Sequence, residues 1–262
     1  AAKAGIWGNW NDFYQANVVA TQNIIEGCRK CHVGKLVFTS SPSVIFDNQP
    51  HTGCNESHPY PKQYESFYPQ TKAMAERMVV EANENDLLTV SLRPHLIWGP
   101  RDAHILPGII DRARDGKLIQ VGKGTNLVDM VYVEDAARAH LLAADALQPG
   151  TAVAGSCYFI TQDEPVNLWE WISALLKHLD IQPPQRSISL RTARTIGRIM
   201  EMAFRWLPLQ GEPRMTRFLA SELAMSHYYD ISRAKKDFGY TPQWSMSSAL
   251  EKTLPWLRRP MA

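Results

Sequence analysis

The chain has 262 residues, 45% of them hydrophobic, with 28 lysines and arginines against 26 aspartates and glutamates. That length can bury one large core or two small ones, and a formal charge of +2 gives no field that would make nucleic acid the expected partner, so a small molecule is expected instead. No apolar run approaches the roughly 18 residues of a membrane-spanning helix and the start has no signal-peptide pattern, so a cytoplasmic protein is expected.

Apolar residues at Phe13, Val18, Ile24 and Ile25 predict a helix from Asn11 to about Lys30. The β-branched and aromatic run Lys35 to Ser41 then predicts a buried strand, which makes the second half of a β-α-β repeat. The pattern recurs as a helix over Pro69 to Asn83 and a strand over Leu87 to Pro94. Beyond Pro94 come a helix near Pro107 to Asp115, strands in "KLIQVG" and "LVDMVYV", the helix "EDAARAHLLAADAL", and a strand from Cys157 to Thr161 that closes the sheet. From Gln162 helices dominate: "NLWEWISALLKHL", "RTARTIGRIMEMAFRWL", "TRFLASELAMS" and two short ones near the end. The expected fold class is α/β, a Rossmann-type parallel sheet over 1–161 with a substrate-side excursion at about 95–130, followed by a smaller, mainly helical substrate-binding cap over 162–262.

Chemistry concentrates in "YPQTK", where Tyr68 is the only tyrosine with a lysine, Lys72, four residues later. That spacing sets phenol and ammonium on one helical face, Pro69 suits a first turn, and a lysine cation there would lower the phenol's pKa toward the range of a general acid. Upstream, the strand runs into Ser40-Ser41-Pro42-Ser43, hydroxyls at the carboxyl edge of a parallel strand, where open α/β sheets bind ligands.

Hydroxyls after a strand, followed by Tyr-x-x-x-Lys opening a helix, resemble the short-chain dehydrogenase/reductase superfamily. "NVVAT", "RPHLIWGP", "VYVEDAARAH" and "YDISRAKKDFGYTP" extend the resemblance to its extended branch, in the right order along nearly the whole chain. "HYYDISRAKKDFGY" resembles the 3β-hydroxysteroid dehydrogenase-like group, which also holds sterol-4-carboxylate dehydrogenases. "TSSPSVIF", "RPHLIWGPRD" and "GEPRMTRFLASEL" resemble its bacterial branch that reduces 2-alkyl-3-oxoalkanoates in long-chain olefin biosynthesis.

The resemblance implies catalytic roles for four residues. Tyr68 protonates the substrate carbonyl oxygen, Lys72 lowers its pKa and holds the nicotinamide ribose, Ser41 hydrogen-bonds the same oxygen with Ser40 as the fallback, and Asn17 stands behind the lysine in a proton relay. It further implies that Ala2, Lys3, Thr39, Ser40, Tyr68, Lys72, Pro94, Leu96 and Ile97 bind the cofactor, NADP(H) with NAD(H) left open. No metal is expected. The implied substrate is a long-chain β-keto acid, with a sterol-like molecule as the alternative, and the implied assembly is a homodimer through the helices near Asn17 and Pro69.

The superfamily's glycine-rich pyrophosphate turn has no counterpart here, and "GKG" at Gly122 to Gly124 reads as a turn between strands. The expectation is that the first strands and that turn precede Ala1, and that this 262-residue chain alone binds cofactor poorly.

Two further segments draw attention. From Arg191 to Leu207, Ile196, Ile199, Met200, Ala203, Phe204 and Leu207 share one helical face, with Arg194, Arg198, Glu201 and Arg205 on the other. The expected arrangement is a cap helix with a solvated charged face; the alternative is peripheral membrane contact or docking of a partner enzyme of the same pathway. Cys28-Arg29-Lys30-Cys31-His32 matches the c-type haem pattern. Attachment needs an export signal and a distal ligand, so free thiols on a helix end, closed by His32 and Gly34, are expected.

Overall fold

The computed structural model describes residues 2–207 and 209–258. Its centre is a three-stranded parallel sheet of β1 (Lys35–Thr39), β2 (Leu88–Pro94) and β3 (Ser156–Ile160), with β2 in the middle. Lys35 pairs with Leu88 and Thr39 with Leu92; Val90 pairs with Ser156 and Pro94 with Ile160. β2 is buried on both faces for almost its whole length, which explains its continuous apolar run.

The helix before β1 contains a π-helical segment, Tyr14–Val19, between Trp10–Phe13 and α1 (Ala20–Lys30). Such an insertion in a helix is frequent at functional sites, and here it carries Asn17. α1 ends at Cys31, with His32 in the left-handed conformation at φ 54° and the Val33 amide donating to the Cys28 carbonyl. His32 thus takes the helix-stop position usually given to glycine, and Cys28 and Cys31 are free thiols.

α2 (Phe67–Glu81) lies between β1 and β2 in sequence, and α3 (Ile105–Arg114) follows β2. "KLIQVG" contributes only Gln120–Val121, and "LVDMVYV" is two strands, Leu127–Val128 and Val131–Tyr132, in different sheets. They part at buried Asp129, whose carboxylate is taken by the Tyr229 amide and the His95 ring. α4 (Val133–Ala146) leads to β3, and then come α5 (Leu168–His178), α6 (Leu190–Trp206), α7 (Arg217–Ala224), α8 (Ser232–Phe238) and α9 (Met246–Leu257). No helix of the described residues is long and apolar enough to cross a membrane.

Two main cores form. One packs Val90, Leu92, Phe159 and Ile160 of the sheet with Ala139 of α4 and Ala234 and Phe238 of α8. The other unites Trp98, Leu106 and Val121 with Trp169, Leu175, Ala220 and Leu250. Segments from both sides of residue 162 therefore enter each core.

α6 differs from its expected orientation. Its buried residues are Ala193, Gly197 and Glu201, spaced by four, while Ile196, Ile199 and Met202 are exposed. Charged partners set this rotation: the Arg217 side chain and backbone amide both donate to the Glu201 carboxylate, and Arg194 makes a 2.6 Å ion pair with Glu65. Gly197 admits the start of α7 so closely that a Cβ there would lie 2.6 Å from the Thr216 carbonyl carbon.

Candidate active site

A cleft of about 760 Å³ opens at the carboxyl ends of β1 and β2. Tyr68, Lys72, Thr39, Ser40, Ser41, Ala2, Pro94, Leu96 and Ile97 all line it, joining segments that the sequence separates. Apolar wall comes from Ile24, Leu36, Phe38, Ile105 and Phe218. A second depression, about 450 Å³ beside Tyr64 and Arg77, contains none of these groups.

Lys72 is 3% exposed, with its ammonium 2.6 Å from the Thr39 carbonyl and 4.2 Å above the Phe38 ring. Burial of the charge pushes its pKa down to about 8, with Glu76 one turn later working in the opposite direction. The Tyr68 phenol is raised above its ordinary value by burial, and a hydrogen bond with the Ser41 hydroxyl works against that rise. The expected lowering by Lys72 is therefore not what this geometry gives. The ammonium is spent on Thr39, and desolvation dominates the phenol.

The hydroxyls differ in how far they are engaged. Ser41 opens the short turn Pro42–Ile45, accepting from the Ser43 amide at 3.2 Å with the Ser43 hydroxyl at 2.9 Å. Ser40 Oγ is buried in the cleft wall with no partner, so it is free to serve a ligand. The Thr39 hydroxyl is 2.8 Å from His140 Nε2, whose Nδ1 faces the Ala136 carbonyl. That carbonyl fixes the proton on Nδ1, so Thr39 donates to Nε2 and its side chain is committed away from any ligand.

Asn17 is buried and joins three segments. Its Oδ1 accepts from the Lys3 amide at 2.7 Å, and its Nδ2 donates to the Lys3 carbonyl and, at 3.0 Å, to Thr71 Oγ1 beside Lys72. The Lys3 side chain instead pairs with Asp12, so Lys3 enters the site through its backbone. Leu96 turns the chain at φ 43°, a left-handed conformation unusual for leucine, between β2 and the strand Ile97–Trp98.

One constellation was not visible in sequence. His95, which lines the cleft, places Nδ1 2.6 Å from Asp129 and Nε2 3.0 Å from His227 Nδ1, while His227 Nε2 is 2.8 Å from the Glu222 carbonyl. Asp129, His95 and His227 thus form one buried hydrogen-bonded chain, and burial pushes the His227 pKa down. The groups are 132 residues apart, and no spacing rule links them. Ligand atoms of His95, Glu222 and His227 cluster within 4.8 Å, as do those of Asp47, His51 and His58. In the first set the two rings are 3.0 Å apart, within hydrogen-bond distance of each other.

The nicotinamide end of a cofactor fits this cleft: unpartnered Ser40 Oγ, buried Lys72 and the Pro94–Ile97 backbone are suited to a ribose and a carboxamide. The sequence contains no glycine-rich turn for a pyrophosphate.

Fold and cleft together define a nicotinamide-dependent oxidoreductase with a Rossmann-like sheet. The dTDP-glucose 4,6-dehydratase DesIV of Streptomyces venezuelae, solved with NAD, superimposes with a TM-score of 0.73 at 21% identity, over 99% of this chain and 72% of its own. The pattern of the 3-beta hydroxysteroid dehydrogenase/isomerase family matches residues 5–191, and the chain belongs to that family. It is 44% identical to the 2-alkyl-3-oxoalkanoate reductase of Stenotrophomonas maltophilia, over 96% of this chain and 77% of that protein. It is 36% identical to the mouse (Mus musculus) decarboxylating sterol-4-alpha-carboxylate 3-dehydrogenase, over 92% of this chain and 68% of that protein.

Proposed function

We propose that this chain is the catalytic body of an NADPH-dependent reductase that converts the keto group of a 2-alkyl-3-oxoalkanoate to a hydroxyl, in the formation of long-chain olefins. The observation that carries this reading is the convergence of Tyr68, Ser41 and Lys72 at one apolar-walled cleft. When bound, the cofactor would supply a hydride to the carbonyl carbon. Tyr68 gives its phenolic proton to the carbonyl oxygen, Ser41 donates a hydrogen bond to that oxygen, and Ser40 takes this place if the Ser43 contact holds Ser41 back. Lys72 would hold the ribose. Asn17 ties the Lys3 loop to the helix turn that carries Lys72 and so fixes its approach.

The names of the two relatives share one piece of chemistry. In each, the oxygen-bearing carbon neighbours the carbon that carries the carboxylate. In this reading that carboxylate lies on the His95 side of the cleft. Ile24, Leu36, Phe38, Ile105 and Phe218 suit alkyl tails. In this reading 1–161 forms the nucleotide side and 162–262, through Phe218 and Glu222, the substrate side of the cleft. A homodimer through the first helix and α2 agrees with the exposed rings of Trp10 and Phe67, which meet edge to face at 5.4 Å.

The test is turnover by full-length protein of 2-alkyl-3-oxoalkanoates, sterol carboxylates and 3-ketosteroids with NADPH or NADH. The highest kcat/KM is expected for a 2-alkyl-3-oxoalkanoate with NADPH. Preference for a ketosteroid that lacks a carboxylate would overturn the assignment.

A further inference from the structure

The segment between Ser41 and Tyr68 carries a side-chain cluster that the cleft does not use. Asp47, His51 and His58 each offer one ligand atom, and the three atoms lie within 4.8 Å of one another. Asp47 Oδ1 and His51 Nε2 are 3.1 Å apart. Two ligands on one tetrahedral ion, with bonds of about 2.0 to 2.1 Å, stand roughly 3.4 Å apart, so this pair already has the spacing that an ion needs. His51 is 1% exposed and its Nδ1 is buried with no partner, so the ring lacks the second hydrogen bond expected of a buried histidine in a purely structural role.

His58 supplies the third donor in the state that a metal requires. Its Nδ1 is 3.1 Å from the Pro59 carbonyl, which can only accept, so Nδ1 carries the proton and donates it. Nε2 of the neutral ring is left with its lone pair. A backbone carbonyl on one ring nitrogen is a common outer partner of a metal-bound imidazole, because it fixes the tautomer and the ring's orientation. The His51 and His58 rings lie 4.7 Å apart between centroids at a tilt of 45°, and His58, half-buried in the loop after the strand His51–Cys54, can close the remaining distance with its loop.

We propose that Asp47, His51 and His58 bind a divalent first-row transition metal of the zinc type. Two imidazoles and one carboxylate suit that class, whereas magnesium and calcium take oxygen ligands. Three protein ligands leave a fourth position for water. The ion acts as a staple. Asp47 follows the turn Pro42–Ile45 that Ser41 opens, and His58 precedes Tyr60, whose hydroxyl reaches Glu76 in the helix of Tyr68 and Lys72. His51 belongs to a strand paired with His227–Tyr229, and its ring meets Tyr229 edge to face at 6.2 Å. Tyr229 lines the cleft, and none of the three ligands does. One ion therefore fastens the connection between the serines and Tyr68 to the strand behind the cleft wall. The binding does not depend on the reductase reading.

The experiment is calorimetric titration of chelator-treated protein with zinc chloride, repeated on His58→Gln and on Asp47→Asn. A protein with Cys28→Ser and Cys31→Ser is the control, because the free thiols at the end of α1 are competing ligands. Wild type should bind one ion per chain and gain in Tm, and the cysteine control should match it. Each variant that circular dichroism shows to be folded should bind at least about tenfold more weakly, since even outer partners of a metal ligand contribute about 10- to 100-fold. His58 is half-buried in a loop, so His58→Gln keeps the test open if Asp47→Asn does not fold. Cobalt(II) bound to wild type should show visible ligand-field bands without a thiolate charge-transfer band in the near ultraviolet. Absence of saturable zinc binding, a smaller loss in either folded variant, loss of binding in the cysteine control, or a thiolate band with cobalt would overturn the proposal.

Discussion

Replacing Lys72 by methionine should raise the stability of the folded chain near neutral pH while removing the cation from the cleft. Burial brings Lys72 from its ordinary 10.5 down to about 8. Between those values the unfolded chain holds a proton that the folded chain has released, so wild-type stability rises with pH across that window. Below it, the buried ammonium costs the fold about 3 kcal/mol relative to a lysine of ordinary pKa, at about 1.4 kcal/mol for each pH unit. Methionine removes that cost but leaves the Thr39 carbonyl without its 2.6 Å donor, a loss of about 1 to 2 kcal/mol. The net gain is about 1 to 2 kcal/mol near neutral pH, or a Tm higher by roughly 2 to 8 °C. It should shrink and then reverse as pH approaches the ordinary lysine value, where the neutral amine costs the fold little and still donates to Thr39. Urea unfolding of both proteins across this range, followed by tryptophan fluorescence, measures the difference. A variant less stable than wild type near neutral pH, by a margin that does not change with pH, would refute the reasoning.

Other outcomes follow from buried contacts. Glu76 and Arg93 are paired at 2.7 Å, and the Tyr60 hydroxyl donates to the same carboxylate at 2.6 Å. Glu76→Ala should therefore cost about 3 to 5 kcal/mol in chemical denaturation, because it strands a buried guanidinium. Gly197→Ala should lower stability by about 1 to 3 kcal/mol by forcing α6 away from Thr216, seen as a shifted urea midpoint. On the proposed function, His95→Gln should raise the KM of a carboxylate-bearing substrate more than it lowers kcat, and a change confined to kcat would remove the carboxylate role of the His95 pair.

The strand rhythm was legible because β2 is buried on both faces, whereas the buried side of α2 mixes Ala73, Ala75 and Val79 with Thr71, Lys72 and Glu76. Tyr68 and Lys72 were legible because four residues on a helix fix their neighbourhood, and the serines because they follow a parallel strand directly. What escaped was decided by distant partners. Lys72 donates to Thr39, 33 residues away, so its effect on the phenol could not be read from spacing. Glu65 and Arg217 choose which side of α6 is buried, against its apolar pattern. Asp129 divides the segment Leu127 to Val133 into two strands because His95 and Tyr229 claim its carboxylate.

The most direct measurement is oxidation of NADPH by full-length Tyr68→Phe in the presence of a 2-alkyl-3-oxoalkanoate, beside wild type. The phenol is the one group in the cleft assigned to protonate the carbonyl oxygen, and general acid catalysis contributes about 100- to 10,000-fold. The account predicts a fall in kcat of that size with the fold intact. A folded Tyr68→Phe protein that turns over at the wild-type rate would contradict it.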